Sequence, residues 1–212
     1  MITYPYEIHI TIDNTSTSLE ELKDHFEFRY VEPLSIDLLN HEGKIIGNHL
    51  MVTSKLKSAT YADAVENALN LTQELSFHNH DILRVKIETH SNNSWVGYGI
   101  RYFEAHIMIP FPNDHVAVDT RFATWERIKE FINISKYKWL LSFNPHKNKF
   151  YVTIRDTNFN TVSQGIREFQ NLYKGDKNYK IEAEACLADT NTQLDKDWIN
   201  ETHPSSISCT NS

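Results

Sequence analysis

Tyr4-Pro5-Tyr6-Glu7-Ile8-His9-Ile10-Thr11-Ile12 alternates between apolar and polar residues, the period of a strand with one buried face. Tyr6, Ile8, Ile10 and Ile12 share one side; Glu7, His9 and Thr11 share the other. Further along, Tyr102-Phe103-Glu104-Ala105-His106-Ile107-Met108-Ile109 repeats the pattern, with Glu104 in the place of Glu7 and His106 in the place of His9.

The surroundings of these strands repeat too. Thr15, Ser16, Thr17 and Ser18 supply capping hydroxyls before Leu19, which predicts a short helix ending near Phe28. Residues 34–39, a turn at His41-Glu42-Gly43 and a strand at about 49–54 read as a hairpin. Ala64, Ala68, Leu71 and Leu75 fall at helical spacing within 60–75, and 82–90 reads as a strand. Beyond a Gly- and Ser-containing connector at 91–99 the order returns: the 102–109 strand, a helix at 123–134, a hairpin of 138–143 and 149–155, a helix at 161–173 and a strand at 179–187. The expected fold class is α+β, a tandem duplication of a ferredoxin-like βαββαβ unit with repeats at 1–92 and 100–188. Each repeat would be an antiparallel sheet with both helices on one face, the two sheets meeting around a shared cleft. Residues 189–212 read as a polar tail, ordered at most around 194–199.

Composition bounds the function. A formal charge of −7 disfavours an extended nucleic-acid surface, which needs Lys and Arg against phosphates. Cys186 and Cys209 form neither a disulfide framework nor a Cys-x-x-Cys pair, which fits a reducing, cytoplasmic setting. No apolar run has the length of a bilayer span, and the opening residues lack the pattern of a secretion signal.

The polar strand faces carry the chemistry. Glu7, His9 and Thr11 would share an open face with His49, Met51, Thr53, Arg84, Lys86, Glu88 and His90; Tyr102, Glu104, His106 and Met108 would share another with Lys149, Tyr151, Thr153, Arg155, Lys180, Glu182 and Glu184. Open faces of this kind are ordinarily solvated, but the matched Glu-x-His pairs set these two apart. A carboxylate beside an imidazole fixes its tautomer and suits it to acid/base work near neutrality. One reading therefore takes His9 and His106, with Thr11, as catalytic groups. Arg84, Lys86, Arg155 and Tyr151 would hold a small phosphorylated or nucleotide ligand for hydrolase-like or transferase-like chemistry.

His9-Ile10-Thr11 resembles one half of the paired His-x-Thr/Ser signature of the 2H phosphoesterases, which implies phosphodiesterase chemistry by two histidines from symmetry-related lobes. His106-Ile107-Met108 departs from that signature in lacking the hydroxyl. A second reading makes Glu7, His9, Glu104 and His106 a ligand set for zinc, manganese or iron. A third is a non-catalytic ligand-binding or assembly protein. The sequence names no cofactor and fixes no oligomeric state. Gly97-Tyr98-Gly99 lacks the Lys-Ser/Thr of a phosphate loop. His78-Asn79-His80 reads as a solvated helix end, with a surface metal site as the alternative, and Trp95, Trp125, Trp139 and Trp198 read as packing residues.

Overall fold

The computed structural model describes residues 3–27, 30–40, 42–91, 99–110, 118–173 and 178–195, without the side chains of 118–124 and 195. The expected helix end at Phe28, His41 of the turn, most of the connector with Trp95, and the tail beyond 195 with Trp198 and Cys209 lie outside these residues.

The elements run β1 (Tyr4–Ile12), α1 (Leu19–His25), β2 (Val31–Leu39), β3 (Ile45–Ala59), α2 (Tyr61–Phe77), β4 (Ile82–His90), β5 (Tyr102–Pro110), α3 (Val118–Ile134), β6 (Trp139–Asn144), β7 (Lys149–Asp156), α4 (Phe159–Leu172) and β8 (Lys180–Asp189), before a 3-10 turn at Thr192–Asp195. Capping boxes start two of the helices: Ser18 with Glu21 opens α1, and Thr60 with Asp63 opens α2. Each satisfies two backbone amides that a helix start leaves without partners.

The eight strands form one closed barrel in the order β1-β3-β2-β6-β7-β5-β8-β4, and every pairing is antiparallel. This overturns the expected ferredoxin-like duplication with two separate sheets around a cleft. Two free sheets would expose four edges of unpaired backbone groups, whereas closure removes them. Here the edges join at β2–β6, through Asp37–Phe143, Leu38–Ser142 and Leu39–Leu141, and at β4–β8, from Lys86–Asp189 to His90–Glu184.

The barrel is lined with polar groups and clad in apolar ones. Tyr6, Ile8, Ile10, Ile12, Leu50 and Val52 point outward into a core beneath α1 and α2. Ala105, Ile107, Ile109, Val152 and Ile154 do the same beneath the other two helices, with Ile128, Phe131, Val162 and Phe169. Helix α4 approaches closely at Gly165, where a Cβ would come within 2.4 Å of Ile154 Cδ1. The alternate residues, expected on open wet faces, line the lumen instead. Thr11, Glu88 and Glu104 are buried, Glu88 and Glu104 completely. Among the described residues no helix is long and apolar enough to cross a membrane.

Candidate functional site

An eight-stranded barrel leaves an interior just wide enough for side chains or one small ligand. Here a cavity of about 350 Å³ remains between them. One wall is apolar, with Leu34, Ile36 and Leu38 of β2 and Leu140 of β6, helped by Met51 and Met108. Opposite stand the charged residues of β1, β4, β5 and β8.

Strand register gives the two halves equivalent positions. On β1, His9 lies opposite Thr53 and Glu7 opposite Lys55 and Glu88; on β5, His106 lies opposite Thr153 and Glu104 opposite Arg155 and Glu184. The side chains follow suit: His9 Nδ1 is 3.0 Å from Thr53 Oγ1, His106 Nδ1 is 2.8 Å from Thr153 Oγ1, and Lys55 and Arg155 bond Glu7 and Glu104 at 2.7 and 2.5 Å. Symmetry breaks at Lys86. It faces His9, where Glu182 faces His106, and it reaches across to bond Glu88 and Glu104, each at 2.7 Å.

A continuous ionic chain results. His9 Nε2 is 3.2 Å from Glu88, Lys86 bridges Glu88 to Glu104, and Glu104 Oε1 takes His106 Nε2 at 2.8 Å. Glu184 lies 3.6 Å beyond that nitrogen. Buried Glu88 is thus held between Lys86 and His9.

The carboxyls on either side of His106 have opposite proton affinities. Burial would raise Glu104, but the charges of Arg155, Lys86 and His106 hold it well below the usual carboxylate range. Burial and the charge of Glu88 push Glu184 up to about 8, against the pull of His106. Burial would lower His106, but the charge and hydrogen bond of Glu104, with the charge of Glu184, raise it. Lys86 is raised in the same way by Glu104 and Glu88 and stays a fixed cation.

All the residues expected at the site line this one lumen: His9, His106 and Thr11; Arg84, Lys86, Arg155 and Tyr151; Glu7 and Glu104. The cations expected to hold a phosphate each have a carboxylate partner. Arg84 is bonded to Asp189 and Tyr102, Lys86 to two glutamates, and Arg155 to Glu104. These three charges face buried carboxylates, so the expected hydrolase and phosphodiesterase chemistry loses the cationic cradle it was built on, although Lys147, Lys149 and Lys180 line the same cavity.

The expected four-residue metal set also divides. Glu104 and His106 converge with Glu184, one ligand atom from each lying within 4.8 Å of the others, while His9 and Glu7 neighbour Glu88. A cation at the first group would have to displace Lys86 or Arg155 from Glu104, whose oxygens already bond both and His106. Glu88, Glu184, Thr53, Thr153 and the apolar wall were not singled out as site residues in the sequence. Their same-face spacing was visible, but the strand neighbours that bring them to the histidines were not.

No protein-family model matches the chain, and no curated protein matches it. Two solved structures resemble it. One, from Fusobacterium nucleatum, is described as a candidate monooxygenase: 9% identity and a TM-score of 0.34 over 89% of this chain and 94% of that one. The other is described as a candidate chlorite dismutase: 10% identity and a TM-score of 0.31 over 88% of this chain and 96% of that one. Neither is described as a hydrolase. Likenesses of this size carry no inference about chemistry or cofactor.

Proposed function

We propose that the protein is an acid/base enzyme acting on one small amphipathic molecule held inside the barrel. The observation that carries this reading is the pairing of fixed charges around His106. Glu7 is matched by Lys55, Glu88 by Lys86 and Glu104 by Arg155, which leaves His106 and Glu184 to exchange protons. Two carboxyls pushed to opposite proton affinities mark such an acid/base centre.

In this reading Glu104 stays ionised and orients His106. Glu184 and His106 deliver a proton to the ligand and recover it, and His9, steadied by Thr53, takes the proton released on the other side. Glu88, already facing Lys86 and His9, would also accept a hydrogen bond from an N–H or O–H of the ligand. The ligand's apolar part would lie against Leu34, Ile36, Leu38 and Leu140. A cavity of this volume takes a metabolite-sized molecule.

The test is a panel of uncharged and singly charged metabolites. Binding is read by thermal shift, and proton transfer by enzyme-dependent deuterium uptake from heavy water, followed by NMR. Wild type is expected to exchange at least one ligand proton. His106→Gln and Glu184→Gln should retain binding and lose the exchange by a hundredfold or more, on the order of a lost general acid. Binding with equal exchange in all three proteins would end the enzymatic reading, and binding with no exchange in wild type would leave a ligand-binding protein.

A further inference from the structure

A second cluster of imidazoles stands outside the barrel. His25 ends α1, His78 caps the C-terminus of α2, and His80 follows two residues later, after Asn79 with its positive φ of 62°. The His25 ring centroid lies 4.2 Å from that of His78 and 6.0 Å from that of His80, both edge to face.

Two of the rings already have the support that metal-bound histidines use. His25 Nε2 is 3.0 Å from Glu74 Oε1; with the proton on Nε2, the ring donates to the carboxylate and Nδ1 keeps its lone pair. His80 Nδ1 is 2.9 Å from the hydroxyl of buried Thr17; with the proton on Nδ1, Nε2 keeps its lone pair. A carboxylate or hydroxyl behind the ring fixes tautomer and orientation for ligation.

We infer that His25, His78 and His80 form a binding site for a divalent transition ion of the zinc class, tying the end of α1 to the turn after α2. Three imidazoles with an open fourth position suit zinc, nickel or copper. The nitrogens are not yet converged, and His78 is exposed, so its ring can turn to complete the set. The ion would thereby pin two outer helices of the first half and leave the lumen untouched.

The experiment uses full-length protein freed of metal with chelator, titrated with zinc chloride by calorimetry and with cobalt(II) by visible absorption. Wild type should take up a single equivalent with micromolar or tighter affinity and show the d–d bands of nitrogen-ligated cobalt. His25→Gln and His78→Gln should each weaken binding at least tenfold. Glu74→Gln, which leaves all three ligands in place, should weaken it about tenfold through the lost support of His25. His78 is exposed, so its variant folds and keeps the test decisive even where His25→Gln does not. No uptake by wild type at 100 µM zinc would overturn the inference, as would uptake that survives both histidine variants and disappears in His106→Gln, which would place the ion in the barrel.

Discussion

Glu104→Gln removes one negative charge from the middle of the lumen while nearly conserving shape. Glu104 is completely buried and bonds Lys86 at 2.7 Å, Arg155 at 2.5 Å and His106 at 2.8 Å. At an effective dielectric of about 20, each contact between unit charges at this range is worth about 6 kcal/mol. Much of that is returned, because Glu88 still faces Lys86 and Arg155 keeps its place over the Tyr102 ring. Breaking one side of a buried pair costs about 3–5 kcal/mol in other proteins, and we expect that loss here at pH 7. The assay is urea unfolding followed by the fluorescence of buried Trp139, with an unchanged dependence on urea showing that only stability has moved. The variant should also lower the titration midpoint of His106, read from its imidazole protons, because Glu104 is what raises it. Adding Arg155→Met should recover part of the loss, since the buried cation that had faced the carboxylate is then gone. A loss below about 1 kcal/mol with His106 titrating as before would refute the reasoning, by showing that water already neutralises these cations.

Two further outcomes are expected. Glu184 binds its proton more tightly folded than unfolded, so its contribution is fully present below its ordinary value of 4.5 and is lost as pH rises toward about 8. One such group removes about 1.4 kcal/mol per pH unit across that window, and the raised His106 acts in the same direction above its ordinary value of 6.5. Glu184→Gln should therefore flatten the decline and be more stable than wild type at pH 8; parallel pH–stability curves for the two proteins would count against a proton held there. In α4, Gly165→Ala gains helix propensity of about 1 kcal/mol but drives a methyl against buried Ile154 and within 3.3 Å of Trp139. A net loss of about 1 kcal/mol is expected from thermal unfolding, and Ile154→Val, which removes the opposing methyl, should restore it.

Much of this architecture could be read from residue order. The alternation in β1 and β5 separated inward from outward side chains correctly, Ser18 and Thr60 marked helix starts, and the spacing of Ala64, Ala68, Leu71 and Leu75 identified the buried face of α2. The meaning of the inward face could not be read in that way. Thr11 and Glu88 are polar on a wet sheet and polar in a lumen alike; only closure of the barrel decides that both are buried. Closure depends on backbone groups at the edges of β2, β4, β6 and β8, which every sequence supplies. Arg84, Lys86 and Arg155 misled for a related reason: a cation looks available until its partner is known, and Asp189 and Glu104 lie far from them along the chain.

The join between β2 and β6 gives this molecule a timescale as well as a shape. Three residue pairs hold it, against eight between β1 and β3 or between β5 and β7, with Lys147 and Glu32 adding a half-exposed ion pair at 2.6 Å. Both joining strands contribute the apolar wall of the cavity, so parting them uncovers the place where a ligand's greasy end would lie. Opening there breaks few hydrogen bonds, but it also draws Leu39 away from Leu141 within the core beneath α3 and α4. On the proposed reading, a guest molecule would enter and leave by local opening of this clasp rather than by unfolding of the whole chain.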